Sequence, residues 1–544
     1  MSSVRRLGPL VLTLVLAAPG LAADPPPATQ PSKTMSSKTP PGVVITHVPS
    51  ATRTFVGSPS IAVLPDGSYI ACHDLFGPAT TEHVSATTRV YRSADRGATW
   101  AKVSQIEGAF WSSLFVHRGQ AYLIGTTAHH GNAVIRRSTD GGRTWTTPAD
   151  AKTGLLLKGQ YHCAPVPVIE HAGRIWRGFE GASGGLEWGK RYRAMMISAP
   201  ADADLLDAAN WTATNLVARD PAWLGGRFNA WLEGNAVVAP DGKVVDVLRV
   251  DLKPEGQTAA IVKVSDDGKT ASFDPADGFV KFPGGATKFA IRFDPKSKLY
   301  WTLSNDVPPH LAGAASAPSI RNTLTLSSSP DLRAWTVKCV LIHHPDRAKH
   351  GFQYPDFLID GDDLIAVVRT AYDEPGGAQA NNFHDANYLT FHRIARFREL
   401  TTKDSVPVPT PPAASLESAD FVVTGSGFAE GKLADDAVAF SNRKYVWKDV
   451  PAALAGAKLT QTAGGEAAVI RVRAKRDTDL LVAAAATVKG VDGFTPTDWQ
   501  FAYTDTGRTK MRVFRRAMKA AEEIALPQTN WTGTIALLTM PPSR

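Results

Sequence analysis

The chain has 544 residues, enough for more than one domain, and carries a formal net charge of +8. Its three cysteines, Cys72, Cys163 and Cys339, lie far apart; this excludes a disulfide framework and points to buried free thiols. The basic balance permits acidic partners without specifying one. No Lys/Arg cluster is interleaved with aromatics, so nothing points to nucleic acid.

Residues 1–22 read as a secretory signal. Arg5 and Arg6 lead, Leu7 to Leu16 are mostly apolar, and Gly20-Leu21-Ala22 offers small residues for cleavage. The apolar run is too short to span a bilayer, and no later segment qualifies. The expectation is a secreted or periplasmic protein without membrane insertion. Residues 23–41 are rich in Pro, Thr and Ser and read as a flexible leader.

From 42 to 401 the chain repeats itself. Ser93-Ala94-Asp95-Arg96-Gly97-Ala98-Thr99-Trp100 returns 45 residues later as Ser138-Thr139-Asp140-Gly141-Gly142-Arg143-Thr144-Trp145. The Asp carboxylate can bond backbone N–H groups inside a turn, the Gly can take a backbone conformation closed to other residues, and Thr and Trp can pack the turn onto its sheet. Weaker copies follow at Ser265 to Thr270 and Ser329 to Trp335, with a trace at Asp207 to Trp211. Short alternating runs with turn residues lie between them, as in Ser60 to Gly67. Six such units between about Val43 and Leu400 predict four-stranded sheets stacked radially, an all-β six-bladed propeller.

Residues 402–415 contain Pro407, Pro409, Pro411 and Pro412 and read as a linker. Residues 416–544 change character. Phe421-Val422-Val423, Leu480 to Ala485 and Ile535 to Leu538 are β-like, whereas Met511 to Ile524 suits a helix or paired strands. This predicts a small β-rich C-terminal domain, such as a sandwich, with a carbohydrate-binding or a purely structural role.

The repeat resembles the Asp-box of the sialidase (neuraminidase) superfamily of six-bladed propellers, over about Val43 to Leu400. Asp-boxes also occur in non-enzymatic propellers and in other glycosidases, so site positions matter more. Glu233 is followed sixteen residues later, across the Asp241-Gly242 turn, by Arg249. Arg321 stands ahead of the box at Trp335, in Arg-x-x-Leu-x-x-x-Ser form, and Tyr354 opens the last unit before Asp360-Gly361. The resemblance implies Tyr354 as nucleophile, Glu233 as its base, and Arg249 and Arg321 as a clamp for an anionic group. A neutral phenol suits an anomeric carbon that bears a carboxylate, and guanidinium binds carboxylate by paired, charge-assisted bonds. Glu82 is the implied general acid, with Asp74 and His73 as alternatives on the same stretch. Sialidases begin the first unit with an arginine; here Gly57 stands in that place. Arg53, Lys288, Arg292 and Arg369 are other basic candidates. Trp111, Gln160 to His162, Trp231 and Asn235 are further loop candidates, and His384 with Asp385 could orient a sugar. None of His73, His83, His129, His130 and His162 has a recognised ligand spacing, so no metal and no cofactor is expected.

The leading expectation is an exported sialidase-like retaining exo-glycosidase acting on a glycan that ends in an acidic sugar. The alternatives are a propeller glycosidase or polysaccharide lyase for another, uronate-type glycan, and a non-catalytic glycan-binding propeller. The sequence leaves the oligomeric state open.

Overall fold

The computed structural model describes residues 39–252, 256–312, 316–410, 412–441, 443–464, 468–487, 490–528 and 532–538. The signal and nearly all of the leader lie outside them. Among the described residues, no helix is long and apolar enough to cross a membrane.

The chain is almost entirely β. Up to Ile394 the described residues form six antiparallel sheets of four or five strands. The first is led by Phe55–Val63, the second by Phe110–His117 and the third by Tyr161–His162. The fourth is led by Phe228–Val238, the fifth by Ala290–Asp294 and the sixth by Gly351–Asp360. The sixth is completed from the other end of the chain, where Val43–His47 pairs with Tyr388–Ile394.

Apolar clusters join each sheet to the next. Ile70 and Val90 of the first pack with Leu114 and Leu123 of the second. Similar clusters join second to third, third to fourth, fourth to fifth and fifth to sixth. Tyr69 and Ile61 of the first then meet Ile365 and Phe391 of the sixth. Polar bonds near the leading strands run the same way round. Asp356 accepts from Ser60 Oγ at 2.7 Å, Ser60 Oγ accepts from Leu114 N at 3.0 Å, and Ser113 Oγ donates to Val166 O at 2.8 Å. Glu180 accepts from Gly234 N at 2.9 Å, Asn235 accepts from Ile291 N at 3.1 Å, and Lys288 Nζ donates to Pro355 O at 2.6 Å. At least one hydrogen bond from a buried side chain thus crosses each of these junctions.

The repeated turns link third and fourth strands. Asp95 Oδ1 accepts from Ser93 Oγ at 2.8 Å and Thr99 N at 2.9 Å, and Trp100 Nε1 donates to Gly97 O at 3.2 Å. Asp140 repeats this with Ser138 and Thr144, and Trp145 Nε1 with Gly142 O at 3.1 Å. Gly97 and Gly142 sit at φ +96° and +87°, against Phe391 and Ile70 of the preceding sheets. The copy at Ser329 is one residue shorter. Leu332 takes φ +67° there, and Trp335 Nε1 donates to its carbonyl at 2.9 Å.

Beyond Ala413 a four-stranded and a seven-stranded antiparallel sheet face each other. Val423, Ile470 and Val472 of one pack with Val482, Phe514 and Ala536 of the other, a sandwich arrangement. The stretch from Met511 to Ile524 is paired strand, not helix: Lys510–Met518 pairs with Thr478–Ala485. The three cysteines are free and buried.

Candidate active site

Four leading strands break register at matching places. The first does so between Val56 and Pro59, the second between Phe110 and Ser113, the fourth between Leu232 and Asn235, and the sixth between Gln353 and Asp356. Each break holds two unpaired residues: Gly57-Ser58, Trp111-Ser112, Glu233-Gly234 and Tyr354-Pro355. Trp111, Glu233 and Tyr354 stand at φ +48°, +60° and +52°. This region costs a non-glycine residue about 1–2 kcal/mol, and such outliers cluster at functional sites. The bulges turn these side chains into one cleft of about 250 Å³, which Gly57, Asp74, Glu82, Arg369 and His384 also line.

The Tyr354 hydroxyl donates to Glu233 Oε1 at 3.0 Å, and Arg249 Nη1 donates to Glu233 Oε2 at 3.2 Å. Burial is the largest influence on Glu233 and works against its charge, but Arg249, His162 and the Tyr354 hydroxyl together hold the carboxyl below its usual range. Burial and the Glu233 charge push the Tyr354 phenol up, against Arg321, Arg249 and Arg369. Two guanidiniums stack on the phenol ring, Arg369 at 4.9 Å and Arg321 at 5.6 Å from its centroid. The bulges are fastened from behind. Glu180 holds Gly234 N and also meets His162 Nδ1 at 2.6 Å, while the buried Lys288 holds Pro355 O.

Three arginines therefore surround Tyr354, and the third comes from an unexpected sheet. Arg249 is the cross-strand partner of Leu232, just before the fourth bulge; Arg369 is the partner of Gln353, just before the sixth. Arg321 donates to Gln353 Oε1 at 2.5 Å and to Pro318 O at 2.8 Å. Of the three, only Arg369 lines the cleft itself. It also stacks on Phe76 at 4.4 Å and donates to His384 O at 2.5 Å.

At Gly57 there is no room for an arginine. A Cβ there would lie 1.6 Å from Asp74 Oδ1. Asp74 accepts from Ser58 N at 2.5 Å and Trp111 N at 2.7 Å, tying two bulges together. Burial, opposed by those two N–H donors, pushes its pKa to about 7. Glu82 is more open. Gly77 N donates to its Oε2 at 3.1 Å, and burial raises its carboxyl above the usual range. Glu82, His83 and His129 bring ligand atoms within 4.8 Å of one another. The two imidazoles are stacked at 4.7 Å, a geometry that does not aim both at one ion.

Other expected residues fall elsewhere. His73 is fully buried, its ring within 2.8 Å of Asp74 O and 3.3 Å of Tyr91 Oη. Arg53 is exposed at a turn and does not line the cleft. Trp231 is core, and Asn235 bridges fourth and fifth sheets. His384 lines the cleft beside Asp385 at 3.0 Å; burial and Arg369 lower its pKa to about 4, so it is neutral near pH 7. Trp188 was not foreseen. It is 50% exposed and forms a cleft wall; its only sequence signal is a tryptophan among glycines, in Gly184-Gly185-Leu186-Glu187-Trp188-Gly189.

No protein-family model matches this sequence, and no curated protein matches it. Among solved structures the chain is similar to an α-L-arabinanase from Penicillium chrysogenum, with 14% identity, TM-score 0.41 and coverage of 66% of this chain and 98% of that one. It is similar to an α-L-arabinofuranosidase from Fusarium graminearum, with 13% identity, TM-score 0.41 and coverage of 67% and 99%. It is also similar to a sialidase from Trypanosoma rangeli, with 12% identity, TM-score 0.40 and coverage of 97% of each chain. These scores leave the choice of activity to the side chains of the cleft.

Proposed function

We propose that this protein is an exported, sialidase-like retaining exo-glycosidase that removes a terminal acidic sugar from glycans, built on a six-bladed propeller. The observation that carries the reading is the Tyr354–Glu233–Arg249 chain of hydrogen bonds, with two further guanidiniums on the phenol ring. Tyr354 Oη attacks the anomeric carbon while its proton passes to Glu233 Oε1, and Glu82 gives its proton to the departing glycosidic oxygen. The product of this step is a glycosyl–tyrosine and a free alcohol. Water then attacks the same carbon, its proton going to Glu82, and the phenolate leaves and regains its proton from Glu233. Arg369 faces the anionic group of the sugar, and Arg249 and Arg321 steady the charge on Glu233 and Tyr354.

One observation favours a second reading. Arg249 is committed to Glu233 and Arg321 to Gln353, so a single guanidinium lines the cleft. On that reading Glu233 and Glu82 act as a carboxylate pair on another glycan.

A release assay separates the two, using a sialoside, a deaminated sialoside, a uronate-containing polysaccharide and a neutral glycoside, with products read by mass. The proposal expects release from the acidic substrates and a loss of about 10³-fold or more in Tyr354→Phe. Full turnover in that variant sinks the tyrosine mechanism.

A further inference from the structure

The segment from Ala182 to Arg193 divides two hollows. Trp188 lines the catalytic cleft, whereas Gly184, Gly185 and the run Lys190 to Arg193 line a second cavity of about 350 Å³ with Arg219. The two hollows are therefore neighbours, sharing one wall.

The second cavity is rich in cations. Its one carboxylate, Glu187, is taken by Lys190 Nζ at 2.6 Å. Arg191, Arg193 and Arg219 have no carboxylate partner among the described residues. Neutral acceptors hold them in place instead. Arg191 donates to Gln160 Oε1 at 2.5 Å, to the Ala182 carbonyl and toward His130 Nδ1 at 3.4 Å. Arg193 donates to Arg191 O at 3.3 Å, and Arg219 to Phe228 O at 3.2 Å. Three oriented guanidiniums around a concave space concentrate positive potential there, and guanidinium matches the geometry of sulfate and carboxylate.

We propose that this cavity is a second oxyanion subsite. It binds a sulfate or carboxylate group on a sugar next to the one held at Tyr354, so the preferred substrate is a glycan with more than one anionic sugar. The glycan comes from the function proposed above; the anion rests on the cavity alone. Trp188, edge-on to Tyr192 at 5.8 Å and open to solvent, offers a stacking face between the two sites.

The test measures equilibrium binding by the full chain carrying Tyr354→Phe, so that no turnover intervenes. The probes are a chondroitin sulfate hexasaccharide, its desulfated form, and its desulfated, carboxyl-reduced form. The charged forms are expected to bind at least tenfold more tightly than the neutral one, and the first two show which anion is preferred. Adding Arg193→Ala and Arg219→Ala is expected to cut that preference at least fivefold, the remainder resting on Arg369. Adding Lys102→Ala and Lys269→Ala, the same charge lost from exposed positions elsewhere, keeps it within twofold. Arg193→Gln with Arg219→Gln serves if the alanine pair does not fold. Equal affinity for the neutral form, or an equal loss in both pairs, overturns the proposal. If the release assay finds no turnover and the preference persists, the glycosidase reading fails and the subsite stands; turnover without preference fails the subsite alone.

Discussion

The leading strands of the first and sixth sheets share a backbone device and carry opposite cargo. Both break register by two residues toward the same cleft. The sixth places Tyr354 there at φ +52°, with Arg369 beside it. The first places Gly57, and the Asp74 carboxyl fills the space a side chain would need. The bulge is thus a mount, and what it presents depends on the neighbouring strand. In this chain the guanidinium expected on the first sheet is absent, and one projects from the sixth.

The largest effect tests the division of labour between the two sheets. Glu82 lies on the loop that follows the second strand of the first sheet and lines the same cleft as Tyr354. Glu82→Gln is expected to slow cleavage of a natural glycan about 10²–10³-fold and to leave a nitrophenyl glycoside nearly unaffected, because that leaving group needs little protonation. Equal slowing of both substrates removes Glu82 from the acid role. Next comes Arg369. Arg369→Gln is expected to lower kcat/KM on an acidic substrate by about 30-fold or more, as when one partner of a buried charge pair is truncated. A neutral glycoside should change far less; equal losses break the comparison.

How much of this was legible in the sequence differs between the two sheets. The box turns could be read because Asp95, Gly97 and Trp100 act within eight residues. Glu233 and Tyr354 could be placed because each opens a strand–turn–strand unit. Arg369 could be named only as one basic residue among several. Its role comes from pairing with Gln353 and from stacking on Phe76, a residue nearly 300 positions earlier in the chain. Gly57 was visible as a gap, but the carboxyl occupying it was not. Trp188 sits on a loop whose position depends on the third sheet, and no local pattern marks it.

Two smaller effects probe Gly57 and Asp74 directly. Gly57→Ala brings a methyl group into Asp74 and is expected to cost about 1–3 kcal/mol in denaturant unfolding; unchanged stability shows that Asp74 moves freely. The last concerns pH. Asp74 titrates near 7 when folded and near the ordinary 3.8 when unfolded. Between those values the folded state keeps a proton that the unfolded chain releases, so this contribution to stability falls as pH rises from about 4 to 7. Asp74→Asn is expected to flatten that slope, and an unchanged slope assigns it to other groups.

The strand Val43–His47 completes the sixth sheet from the opposite end of the chain. The sheet that mounts Tyr354 and Arg369 is therefore a clasp, shut by a segment made first onto one made more than 300 residues later. Until Tyr388–Ile394 has been synthesised, that clasp has nothing to grip. Clipping the chain just after His47 should loosen the sheet that carries Tyr354 without touching a single residue of the cleft.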